Sequence, residues 1–204
     1  SSGGDAGNTT PSDGKDTDIS KPGDAADNKA KFTDVKDSDY FAKAVAWAVE
    51  KGITTGTTPT TFSPHAPCTR AQIVTFLWRA AGKPEPQKTD NPFADVKPDA
   101  YYNKALLWAV EQGIVNGTSA TAFSPDATCT RGQMAAILYR YAKSPEVKGD
   151  KSFADVKADA YYANAVKWAA EQGITAGTGA TSFSPDATCT RAQIVTFLYR
   201  YMGK

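Results

Sequence analysis

The sequence predicts a mainly α protein in which three helix–loop–helix repeats pack as one body behind a disordered linker, and three observations carry that expectation. Phe32-Thr33-Asp34-Val35 recurs as Phe93-Ala94-Asp95-Val96 and Phe153-Ala154-Asp155-Val156, at offsets of 61 and then 60 residues. The same offsets relate Trp47, Trp108 and Trp168, and likewise Cys68, Cys129 and Cys189. A fixed period of this length means one supersecondary unit used three times. Within each unit two stretches place apolar residues at helical spacing. Finally, a unit of about 50–60 residues with two helices is too small to close a good core alone, so the three should stack.

Residues 1–31 contain no aromatic residue and one branched apolar residue, Ile19, with six Asp against four Lys. Such a segment cannot bury enough surface to offset its ordering entropy, and it reads as a solvated linker that tethers whatever precedes it. The repeats follow at 32–84, 93–145 and 153–204. In each, Ser38 or Asp39, and equivalently Asp99 and Asp159, is placed to cap a first helix running to about Lys51. Phe41, Ala44, Val45, Ala48 and Val49 give that helix its apolar face. Gly52, Gly113 and Gly173 follow its last turn, where a left-handed residue is expected.

Next comes Gly-Ile-x-x-Gly-Thr, ending in Gly56-Thr57, Gly117-Thr118 and Gly177-Thr178. The second glycine points to a positive φ or to a close approach of backbone to a neighbour or a ligand. Phe-Ser-Pro turns at 62–64, 123–125 and 183–185 lead into the second helix. Ile73, Val74, Leu77, Trp78 and Ala81 form one face of it. Pro84, Pro86 and Ser144-Pro145 break the chain between repeats.

The second helix opens on Cys-Thr-Arg-x-Gln each time. Thr69 and Gln72, with their counterparts, have capping-box spacing, and Cys68 precedes the cap where a hydrophobic staple to Ile73, Met134 or Ile194 is expected. Arg70, Arg131 and Arg191 lack such a local explanation. At the first helical position a cation meets the positive end of the helix dipole, at a cost of about 0.3–1 kcal/mol. Three such violations mark a site. A helix start with orphan N–H groups and an added guanidinium reads as an anion receptor.

Net charge is +1, from 23 basic and 22 acidic side chains, so no bulk field recruits nucleic acid or an anionic membrane. No apolar run approaches the ~18 residues needed to span a bilayer. The three cysteines read as separate buried thiols rather than a disulfide framework, and a three-thiolate zinc site lacks the closely spaced ligand pairs such sites show. His65 is the sole histidine, which removes His-based nucleophilic catalysis and multi-histidine metal sites. Threefold repetition of the acidic positions fits binding grooves better than one catalytic cleft, so the expectation is a non-enzyme without metal or cofactor. The repeated tryptophans read as core, although stacking on sugar rings is open to them. Asp34, Asp95 and Asp155 can cap a turn or accept sugar hydroxyls.

Three ~60-residue units pairing F-x-D-V, a Trp-bearing helix, G-I-x-x-G and a T-R-A-Q helix start resemble the S-layer homology family over residues 32–204. The resemblance implies a pseudo-threefold bundle that anchors a bacterial surface protein non-covalently to the cell wall. The implied partner is an acidic, pyruvylated secondary cell-wall polysaccharide bound in grooves between repeats. It also implies an extracellular location at the wall or surface layer, and a ligand-binding role for Arg70, Arg131 and Arg191. Gly56, Thr57, Gly117, Thr118, Gly177, Thr178, Asp34, Asp95 and Asp155 are similar to groove-lining positions of that family. The alternative is a protein–protein or self-assembly module of a surface layer. Gln72, Gln133 and Gln193 depart from the family's usual glutamate, and Cys68, Cys129 and Cys189 from a larger aliphatic residue. Gly132, in place of alanine, is expected to loosen the second unit's helix start. His65 stands where Asp126 and Asp186 stand in the other repeats, so the grooves need not be equivalent.

Overall fold

The computed structural model describes residues 32–203; the expected linker at 1–31 lies outside the described residues. Among the described residues six helices follow in order: α1 Ala42–Glu50, α2 Arg70–Ala80, α3 Asn103–Glu111, α4 Arg131–Tyr141, α5 Ala163–Glu171 and α6 Arg191–Met202. Among the described residues the only β pairing is isolated bridges, so the fold is mainly α.

The first helix of each repeat starts later than its expected cap. α1, α3 and α5 begin behind Phe41, Tyr102 and Tyr162, none of which caps with a side chain. Asp39 instead accepts the Lys36 N–H at 2.7 Å, closing the turn before the helix. An Asx-type turn thus competes with the cap for the same carboxylate. At the other end Gly52, Gly113 and Gly173 adopt φ of +73°, +75° and +75°, as a left-handed C-terminal residue requires.

The second helices carry complete capping boxes. Thr69 Oγ1 accepts from the Gln72 N–H at 3.1 Å while Gln72 Oε1 accepts from the Thr69 N–H at 3.0 Å. Thr130 with Gln133, and Thr190 with Gln193, repeat the pattern.

Helix pairing crosses the repeats. α2 packs on α3, α4 on α5 and α6 on α1, so each first helix leans on the second helix of the preceding repeat and the last repeat closes onto the first. At the centre of this ring three cysteine peptides form a closed triangle. Cys68 N–H donates to Cys189 O (2.9 Å), Cys129 N–H to Cys68 O (3.0 Å) and Cys189 N–H to Cys129 O (2.8 Å). The pseudo-threefold axis is therefore a hydrogen-bonded junction of the three loops.

The thiols are free and buried, and burial pushes that of Cys129 up to about 12, with Cys68 raised further, so both stay protonated. No cluster able to hold a metal occurs among the described residues. Trp108 and Trp168 are buried, and Trp47 packs partly buried against Tyr199, which gives the tryptophans to the core.

Candidate functional site

The helix starts where an anion receptor is expected are occupied by the protein itself. The first two amides of α2 donate to the next repeat's turn, Arg70 N–H to Ala127 O (2.9 Å) and Ala71 N–H to Pro125 O (3.0 Å). Those of α4 donate to Ala187 and Pro185, and those of α6 to Ala66 and Pro64. Thr69, Thr130 and Thr190 take the third. No early N–H is left for an external anion, which corrects the receptor expected from the helix termini alone. The same bonds explain Gly132. Its amide reaches Pro185 O at 2.8 Å, and an added Cβ would stand 3.1 Å from the Tyr162 ring, so the position is tight rather than loosened.

The arginines follow the same cyclic route. Arg70 Nε donates to Phe123 O at 2.9 Å and one terminal nitrogen to Asn116 O at 2.7 Å. Arg131 Nε reaches Phe183 O and Arg191 Nε reaches Phe62 O, both at 2.8 Å. Each guanidinium also lies over the ring of that phenylalanine, at 4.5–4.7 Å from the centroid. The negative ends of neighbouring carbonyls thus offset the dipole cost that made these residues conspicuous. Burial opposes the charge of Arg70 and, more deeply, of Arg191, but a guanidinium stays protonated throughout.

The receiving carbonyl is held by the aspartates. Asp34 accepts the amides of Phe62 and Ser63, Asp95 those of Phe123 and Ser124, and Asp155 those of Phe183 and Ser184, all at 2.8–2.9 Å. These bonds hold Asp95's carboxyl below the usual carboxylate range. Ser63, Ser124 and Ser184 are pinned at φ of +58° to +59°, a left-handed conformation that costs a non-glycine residue about 1–2 kcal/mol. The Asp of each repeat therefore clamps the turn whose carbonyl receives the neighbour's arginine.

Thr57, Thr118 and Thr178 serve the same turn, each sharing a 2.6 Å hydrogen bond with Ser63, Ser124 or Ser184. At Gly56 a Cβ would stand 2.5 Å from the Phe32 ring, and Gly117 and Gly177 meet Phe93 and Phe153 in the same way. The close approach expected of the second glycine is to a phenylalanine of its own repeat.

Two grooves open beside this framework. One, of about 510 Å³, is lined by Arg70 from repeat one, Asn116, Gln133 and Arg140 from repeat two, and Tyr161 from repeat three. The other, of about 500 Å³, brings together Arg191, Thr55, Gln72, Arg79 and Tyr101 in the same order, shifted by one repeat. In the third set, Arg131 of repeat two, Gln193 and Arg200 of repeat three and Tyr40 of repeat one are all buried.

Sequence reasoning missed Arg79 and Arg140, which donate to Ile53 O (3.0 Å) and Ile114 O (3.4 Å). It also missed Tyr101 and Tyr161, each 64% exposed at a groove lip. Their signal was an aromatic pair, Tyr-Tyr, of which one ring faces solvent while the other stands edge-on to it.

The S-layer homology domain model matches residues 31–74, 92–135 and 152–195. The chain belongs to the S-layer homology family. It is 35% identical over 161 residues to the surface-layer 125 kDa protein of Lysinibacillus sphaericus, covering 76% of this chain and 13% of that one. It is 31% identical over 179 residues to an amylopullulanase of Thermoanaerobacterium thermosulfurigenes, covering 85% and 10%. With an endoglucanase of Bacillus sp. strain KSM-635 it shares 40% identity over 113 residues, covering 55% and 12%. The chain thus spans only 10–13% of the length of these three relatives. S-layer homology domains anchor surface proteins to the cell wall, and three tandem copies place this chain among such wall-associated modules. Among the described residues no helix is long and apolar enough to cross a membrane.

Proposed function

We propose that this S-layer homology module is a non-catalytic anchor that binds an acidic, pyruvylated cell-wall polysaccharide in the grooves between its repeats. One observation carries the proposal: each of the two open grooves presents two guanidiniums from adjacent repeats, Arg70 with Arg140 and Arg191 with Arg79. All four are fixed by backbone carbonyls and none is ion-paired with a carboxylate among the described residues. In a chain of net charge +1 this concentrates cation at the grooves, with Arg70, Arg79 and Arg140 partly exposed there and Arg191 deeper. A guanidinium offers five N–H donors, and those not spent on carbonyls are free to hold a carboxylate in a fork geometry.

Tyr101 and Tyr161 supply an apolar face beside the charge, which suits the apolar face of a sugar ring. The Asp clamps and the Thr side chains of the Gly-Thr turns act one step back, by holding the carbonyls that aim the arginines, while Gly56 lines its groove. Binding is expected to wall sacculi that retain the polysaccharide, and to fall away once its ketals are hydrolysed. Equal capture by sacculi stripped of the whole polymer would overturn the proposal in favour of a protein partner in the surface layer.

A further inference from the structure

We infer that Asn116-Gly117 is a self-modifying site, open to loss of the asparagine side-chain amide because Val115 leaves the Gly117 N–H unheld. Asn116 is the one asparagine of the sequence followed by glycine, so no Cβ on the next residue shields the peptide nitrogen. The residue is exposed, in the groove it lines with Arg70 and Arg140.

Repeat two differs from its neighbours where the reaction needs it to. In repeats one and three a threonine holds the glycine amide: Gly56 N–H donates to Thr54 Oγ1 at 3.1 Å and Gly177 N–H to Thr175 Oγ1 at 3.0 Å. Repeat two has Val115 in that place, and the Gly117 N–H has no hydrogen-bond partner among the described residues. The backbone differs as well. Gly56 and Gly177 take φ of +94° and +90°, whereas Gly117 is not left-handed. Arg70 adds to the reactivity of the nitrogen. Its guanidinium donates to Asn116 O at 2.7 Å, which draws electron density from the peptide, makes the Gly117 N–H more acidic and favours the anion formed on it.

The steps need only water. Water or hydroxide takes the Gly117 amide proton, and the nitrogen attacks Asn116 Cγ. The bond from Cγ to the side-chain nitrogen breaks, and ammonia leaves with a proton supplied by water, closing a succinimide ring. Water then opens the ring. Cleavage of the new Cγ–N bond gives an aspartyl residue. Cleavage of the bond from the backbone carbonyl carbon gives an isoaspartyl one, in which that carbonyl becomes a free carboxylate. Its oxygen is the one Arg70 holds, so the isoaspartyl product forms with a counter-ion already in place.

The test incubates the purified chain at mildly alkaline pH and follows amide-to-acid conversion by peptide mass mapping, with enzymatic methylation of isoaspartate as a second readout. Wild type, Val115→Thr and Asn116→Ala are compared, each folded and in urea. Folded wild type is expected to convert at Asn116, while Asn103 and Asn164, which lie in α3 and α5, stay intact. Val115→Thr restores the side chain found at Thr54 and Thr175. It is expected to convert roughly three- to tenfold more slowly when folded, and at the wild-type rate in urea. Asn116→Ala is expected to take up no methyl groups in that peptide. Folded wild type that keeps Asn116 intact while the chain in urea converts would overturn the inference, since the fold would then shield the site. Equal rates for folded wild type and folded Val115→Thr would overturn it too, because the unheld Gly117 amide would not be what opens the site.

Discussion

Arg70 illustrates how one side chain serves both structure and ligand. It holds two carbonyls of the next repeat and stacks on Phe123, so Arg70→Ala is expected to destabilise the protein by about 2 kcal/mol or more, checked by urea titration. The dipole cost alone would make that substitution near neutral, but the receiving carbonyls, 46 and 53 residues away, leave no mark in the sequence. Tyr101 and Tyr161 separate the two roles cleanly. Each is exposed and stands edge-on to its neighbouring tyrosine. Tyr101→Ala with Tyr161→Ala is expected to leave Tm within a degree or two while weakening binding of acidic wall fragments roughly three- to tenfold, from about 0.5–1.5 kcal/mol of ring contact. The carboxylates give a pH signature. Asp95 and Glu111 are both held below their ordinary range, chiefly by backbone amides of Phe123 and of Gln87. A carboxyl depressed on folding contributes stability that is present above its unfolded pKa, near 4, and is lost as pH falls through the lower folded value. Melting temperature should therefore be flat near neutrality and decline below about pH 4. Asp95→Asn, which can accept only one of the two turn amides with its single carbonyl oxygen, should lower Tm at pH 7 and flatten that decline.

At the scale of the element, what the sequence announces are features closed within a few residues. Thr69 with Gln72 and the left-handed Gly52 are legible because their partners sit within about four positions. The first helices show the limit even there: Asp39 has the chemistry of a cap, but Lys36 captures it first. Gly132 shows the limit across repeats. Read locally, glycine costs a helix about 0.5–1 kcal/mol against alanine. In the fold its missing Cβ admits the Tyr162 ring and the Pro185 carbonyl. Gly132→Ala is thus expected to bring no stabilisation, with Tm unchanged or lower, whereas a rise of several degrees would show that the Tyr162 side yields freely. The turns behave alike. Gly56 was readable as a close approach, but only the structure shows that the Phe32 ring and the Thr61 carbonyl approach it, while Gly56 also lines a groove. For the same reason the candidate site divides unevenly. The arginines line the grooves at Arg70 and Arg191, while the Asp and Thr side chains bond the Phe-Ser-Pro turn.

At the scale of the molecule, sequence repeats and packing units are out of phase. The repeat runs from first helix to second, but the packed pairs are α2–α3, α4–α5 and α6–α1. An open solenoid loses stability by increments when a terminal repeat is removed; a closed ring has no terminal repeat. Removing residues 146–204 would deprive α1 of α6 and leave the amides of Arg131 and Gly132 without Ala187 and Pro185. It would also break the cysteine triangle at two of its three bonds, since Cys189 is both donor and acceptor there. Each loss exposes apolar surface or orphans a buried amide, at about 1–3 kcal/mol apiece for the amides, against a total of about 5–15 kcal/mol for a domain. The fragment 32–145 is therefore expected to be largely unfolded by circular dichroism, while 32–204 unfolds in one transition. The buried thiols report the same event: all three are buried and burial keeps Cys68 and Cys129 protonated, so labelling of Cys68, Cys129 and Cys189 should proceed together at the rate of global opening. A cooperative urea transition in the two-repeat fragment, or rapid labelling of one cysteine ahead of the others in the full ring, would show that the repeats fold independently and that closure of the third onto the first is not what holds the module together.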